Sequence, residues 1–157
     1  MGTPMHPNSK LDKGKTKKDV DKTRYRGTIG SLMYLTSSRP DIVQSVGMCS
    51  RFQSKPKESH LSAVKRIIKY VHGTSNFGLW YAKTDDFSAV GYCIADFAGD
   101  RVDRRRTSGL YSFLGKSLNF CSSKKQPTVA LSTIEAEYIA ASSCSSQLMW
   151  YETILGI

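Results

Sequence analysis

At 157 residues the chain has room for one domain or two small ones, and 39% hydrophobic against 23% charged residues is the balance of a folding sequence. A net charge of +10 favours an anionic partner, nucleic acid being the commonest. Cys49, Cys93, Cys121 and Cys144 make no Cys-x-x-Cys pair, which argues against a zinc site or a disulfide framework. No apolar run approaches the ~20 residues of a membrane span, so an intracellular chain without a membrane partner is expected.

Residues 1–23 are polar and lysine-rich and read as a basic flexible connector. Tyr25, Ile29, Leu32 and Met33 then recur at helical spacing and predict one apolar stripe. Pro40 and Asp41 suit a helix start, so a second helix is expected from about Pro40 to Phe52. A third runs from about Glu58 to His72 and stops at Gly73. Its expected buried stripe is Leu61, Val64, Ile68 and Val71, with Lys65, Arg66 and Lys69 towards the other side. That cluster suits a face turned to nucleic acid, and it equally suits any amphipathic surface helix.

The period then changes to that of strands. Gly78–Tyr81, Ala89–Ile94, Leu110–Leu114 and Leu118–Cys121 read as strands, with a turn at Gly115-Lys116 and a short continuation at Val129–Leu131. Residues 101–125 carry Arg101, Arg104, Arg105, Arg106, Lys116, Lys124 and Lys125 against Asp103 alone, whereas from Pro127 onward there are three Glu and no Lys or Arg. A basic wall beside an acidic helix pairs cations for phosphates with carboxylates for metal ions. The last helix opens on Ser132 and Glu135, a capping-box spacing that gives Glu135 a structural role. Glu137 shares helical spacing with Ala141, Cys144 and Leu148, a face expected on the sheet, where a carboxylate is costly unless paired, protonated or metal-bound.

The stretch from Ser123 to Tyr138, containing Lys124-Lys125-Gln126 and Glu135-Ala136-Glu137-Tyr138, resembles the ribonuclease H region of copia-type retrotransposon Pol polyproteins. Ala95-Asp96-Phe97-Ala98-Gly99-Asp100 and Thr107-Ser108-Gly109 support the same resemblance. Upstream, Tyr25–Thr36, Arg39–Ile42, His60–Arg66 and Gly78–Tyr81 resemble the end of the reverse transcriptase in the same order along the chain. The resemblance implies an α/β chain: a helical reverse-transcriptase tail at 24–80, then, at 81–157, a truncated ribonuclease H-like mixed sheet with a packed helix.

The implied reaction is cleavage of RNA in an RNA–DNA hybrid with two Mg2+ or Mn2+ ions held by carboxylates. Glu137 matches the helix Glu of the family, and Asp96 and Asp100 are the other local candidate ligands. Ile94 stands where the family's first catalytic Asp is expected, and Asp96 lies two residues on, about 6.6 Å away at ~3.3 Å per residue. Arg106 replaces a Ser of the pattern and Cys121 a Trp, and no Tyr-x-Asp-Asp is present. These departures imply impaired catalysis. Lys65, Arg66, Lys69, Arg104, Arg105, Arg106, Lys124 and Lys125 remain as candidate contacts for nucleic acid, with the rest of a Pol polyprotein or a completing partner chain as further expected partners.

Overall fold

A computed structural model describes residues 2–6, 11–12, 18–83, 86–96 (without the side chain of Asp96) and 105–156, in units spanning Met1–Gly78 and Leu79–Ile157. The first unit is helical. Asp21 starts α1 (Lys22–Leu35) by accepting from the backbone N–H groups of Thr23 (2.9 Å) and Arg24 (3.3 Å). Pro40–Ile42 forms a 3-10 turn that leads into α2 (Val43–Ser50). Helix α3 (Glu58–Gly73) follows, and the His60 ring Nδ1 accepts the Lys57 N–H at its start, 3.0 Å away.

Tyr25, Ile29 and Leu32 of α1, Ile42, Val46 and Cys49, and Val64, Ile67 and Tyr70 of α3 make the core of this unit. The Tyr25 hydroxyl donates to the Cys49 carbonyl at 2.9 Å, so the buried phenol is satisfied. Met33, expected in the α1 stripe, is exposed. On α3 the expected stripe is rotated by about one residue: His60, Val64, Ile67 and Tyr70 are buried, Leu61 and Val71 are partly buried, and Ile68 is exposed. Two amphipathic rings cause the rotation. His60 stacks on Phe52 with centroids 4.0 Å apart, and Tyr70 lies beneath the Arg39 guanidinium. Arg39 also pairs with Asp41 (2.8 Å) and donates to the Thr74 carbonyl (3.0 Å), which ties the start of α2 to the end of α3.

The second unit is a sheet with one helix on it. Strands β1 (Ala89–Asp96), β2 (Thr107–Leu114) and β3 (Ser117–Lys125) are antiparallel in the order β1-β2-β3, and α4 (Thr133–Leu155) packs on β1 and β2. Gly115 makes the β2–β3 turn with φ +57°, a conformation that favours glycine. The expected mixed sheet is therefore corrected to a wholly antiparallel one among the described residues.

Two expected strands are absent. Leu79–Tyr81 has no ladder partner among the described residues and is anchored instead by the Tyr81 hydroxyl on the Leu118 carbonyl (3.0 Å). At Val129–Leu131 the Leu131 N–H is taken by the Glu135 carboxylate (2.7 Å), which diverts the backbone from a ladder into the helix start. No described helix is long and apolar enough to cross a membrane.

Candidate functional site

Helix α4 begins where side chains replace the missing turn of backbone bonds. Ser132 Oγ accepts from the Glu135 N–H at 3.1 Å, while Glu135 reaches back to Leu131, one residue before the cap. Glu135 is thus occupied in starting the helix. Gln126, just past β3, fixes the same turn from the other side. Its Nε2 donates to the Ala136 carbonyl and to Ser108 Oγ, both at 2.9 Å, and its own N–H donates to the Arg106 carbonyl at 2.8 Å. Gln126 is 2% exposed, and its Oε1 has no hydrogen-bond partner among the described residues.

Ala136, Ala140 and Cys144 are the α4 residues buried on the sheet, so Glu137 lies one position off that face and is exposed. Its expected place on the core side is corrected accordingly. Both carboxylate oxygens accept from the Ala95 N–H at 3.2 Å. Strand β1 is at the sheet edge, and Glu137 supplies an acceptor to a backbone donor there. The carboxylate therefore reaches the end of β1 beside Ile94, the residue at the expected Asp position.

Strand alternation sets which way the β1 side chains point. A Cβ on Gly91 would meet Cys144 and Leu148, so Gly91, Cys93 and Ala95 face α4. Val90, Tyr92 and Ile94 are on the opposite, uncovered face, where Ile94 is 59% exposed and leans on Gly109 of β2. Asp96 ends β1, but its side chain, like Asp100 and Arg104, lies outside the described residues. Among the described residues no group of three or more His, Cys, Asp or Glu side chains is placed to hold a metal ion.

The candidate cations are spread over both units. On α3 Lys65 and Lys69 are exposed, whereas Arg66 is half-buried and donates to Thr3. Arg105 and Lys124 are exposed and Lys125 is half-buried. Arg106 is only 9% exposed, which withdraws it from the proposed contact surface. Lys124, Gln126 and Gln147 line a cavity of about 190 Å³ between β2, β3 and α4. The whole charge excess belongs to the first unit: residues 1–78 hold 15 Lys and Arg against 5 Asp and Glu, and residues 79–157 hold eight of each.

Two features had no signal in the sequence. Gln126 follows two lysines and a run of serines, a context that reads as exposed loop, yet it is the buried link between sheet and helix. Cys93 and Cys144 are far apart in the chain, yet Cys144 Sγ lies over Gly91 on the face of β1 that also carries Cys93.

The chain is 42% identical over 153 residues to the retrovirus-related Pol polyprotein from transposon RE1 of Arabidopsis thaliana, covering 98% of this chain and 10% of that protein. It is 38% identical over 163 residues to the retrovirus-related Pol polyprotein from transposon TNT 1-94 of Nicotiana tabacum, covering 99% of this chain and 12% of that one. Secreted RxLR effector protein 161 of Plasmopara viticola is 40% identical over 127 residues, covering 80% of this chain and 89% of that protein. The chain thus spans about a tenth of the length of the Pol polyproteins it matches. No family model and no solved structure matches it.

Proposed function

Because this chain belongs to the Pol polyproteins of copia-type retrotransposons, we propose that it carries the end of a reverse transcriptase-like region and the front of a ribonuclease H-like one, with hybrid cleavage impaired. The observation that carries this reading is the meeting of Glu137 with the Ala95 N–H beside Ile94. A two-metal site places carboxylates together on adjacent elements. Here the helix contributes Glu137, while position 94, where the resemblance expects an Asp, holds an isoleucine on the face of β1 away from α4. The described donor set does not fit a pair of Mg2+ or Mn2+ ions, and no catalytic step is assigned to them.

The charge distribution favours a second role within the same reading. The first unit holds the entire excess of +10, with Lys65 and Lys69 exposed together on α3, so binding of an RNA–DNA hybrid is assigned to that unit. Phosphate neutralisation makes such binding fall steeply with salt.

Both parts are tested with a labelled RNA–DNA hybrid, in magnesium and then manganese, using the wild-type chain beside Glu137→Gln. The expected result is salt-sensitive binding without cleavage. Cleavage by the wild type that disappears in Glu137→Gln overturns the impairment, and failure to bind even at low salt overturns the nucleic-acid role.

A further inference from the structure

We propose that Cys93 and Cys144 are an oxidisable thiol pair that closes reversibly to a disulfide between β1 and α4. Three features of the packing carry the inference. A Cβ built on Gly91 would lie 2.6 Å from Cys144 Sγ, so this sulfur sits directly over the strand at a point where only hydrogen leaves room. Cys93 is the next residue along β1 on that same face. Its thiol comes close enough to that of Cys144 for the two to interact electrostatically. The other two cysteines are placed differently: Cys49 is buried in the first unit, and Cys121 stands opposite Tyr111 in the β2–β3 ladder.

The two thiols also differ in access, which sets the order of the reaction. Cys93 is half-buried, whereas Cys144 is 6% exposed. With a low-molecular-weight disulfide such as oxidised glutathione as oxidant, the Cys93 thiolate attacks one glutathione sulfur and releases the other as a thiol. Cys144 then attacks the Cys93 sulfur of the mixed disulfide and releases the second glutathione. Two protein thiols are oxidised, one glutathione disulfide is reduced, and both thiol protons leave with the two glutathione molecules. Burial, and then the neighbouring Cys93, push the Cys144 thiol above its ordinary range, so the closing step quickens as pH rises.

The consequence falls on the site already described. Cys93 is two residues before Ala95, and Cys144 is seven after Glu137, about two helical turns along the same helix. The closed pair therefore fastens α4 to β1 beside the Glu137–Ala95 contact. The proposal needs no nucleic-acid chemistry and stands or falls apart from it.

The test is to equilibrate the full chain with oxidised and reduced glutathione at mildly alkaline pH, alkylate the remaining thiols and map the disulfides by mass spectrometry. The expected product is an intramolecular Cys93–Cys144 link, two hydrogens lighter than the reduced chain, reversed by dithiothreitol and melting at a higher temperature. Cys93→Ser removes the link and the shift without disturbing the buried sulfur, and Cys121→Ser preserves both. A stable mixed disulfide on Cys93, a preferred link through Cys49 or Cys121, or no oxidation of the folded chain where the urea-unfolded chain oxidises would each overturn the proposal.

Discussion

Gly91→Ala is the sharpest test of how α4 is seated on the sheet. The added methyl would lie 2.6 Å from Cys144 Sγ and 2.8 Å from Leu148 Cδ1, against an ordinary contact of ~3.5–4.0 Å. Both neighbours must withdraw by about 1 Å, or the helix must rise from the strand. Overpacking of this kind costs ~1–3 kcal/mol, and each kcal/mol moves the midpoint of a unit this size by ~4–8 °C. Trp80 and Trp150 are the chain's two tryptophans and both belong to Leu79–Ile157, so a fluorescence melt reports on this unit alone. Gly30→Ala is the matched control. Gly30 is exposed within α1 with nothing within 4 Å of an added Cβ, and there the same change should stabilise the first unit by ~0.5–1 kcal/mol. An unchanged fluorescence midpoint for Gly91→Ala would refute the close approach of α4 to β1.

Arg39 holds the Asp41 carboxyl below the usual carboxylate range by hydrogen bonding, with burial opposing it. A carboxyl so depressed adds stability above its unfolded value of ~3.9, and that stability is lost as pH falls through the lower folded value. Asp41→Asn should therefore flatten the acid limb of helix loss in the first unit, measured by circular dichroism. Gln126→Leu removes two hydrogen bonds of 2.9 Å along with a buried oxygen that has no partner among the described residues, so a net loss of about 1 kcal/mol is expected in the fluorescence melt. Lys65→Ala and Lys69→Ala should each reduce the log–log salt slope of hybrid binding by ~0.9, read by titration at several salt concentrations.

Helix positions were legible because capping residues and apolar spacing act locally. Pro40, Gly73 and Ser132 each mark an element end that the backbone respects. Which face is buried was less legible, because Tyr70 and His60 are rings with polar atoms whose burial depends on Arg39, Phe52 and Asp12, residues distant in sequence. The strand error at Val129–Leu131 has a similar cause. Apolar residues there suggested a ladder, but the nearest acceptor for the Leu131 N–H belongs to the helix that follows. Gln126 escaped notice because no spacing rule distinguishes a buried amide from one in a loop.

Glu137 was singled out because a carboxylate on the core face of a helix demands a reason, and α4 is rotated so that this premise no longer holds. Its exposed carboxylate has a sufficient structural role in accepting the edge N–H of Ala95, so the burial argument for a metal ligand falls away and the motif alone supports it. The two roles separate by substitution. A glutamine keeps an acceptor oxygen but loses the negative charge, whereas an alanine loses both. If Glu137 serves the sheet edge, Glu137→Ala lowers the fluorescence midpoint by ~1 kcal/mol equivalent and Glu137→Gln stays near wild type. If it serves a metal ion, the two variants lose hybrid cleavage alike, and added manganese raises the midpoint of the wild type but of neither variant.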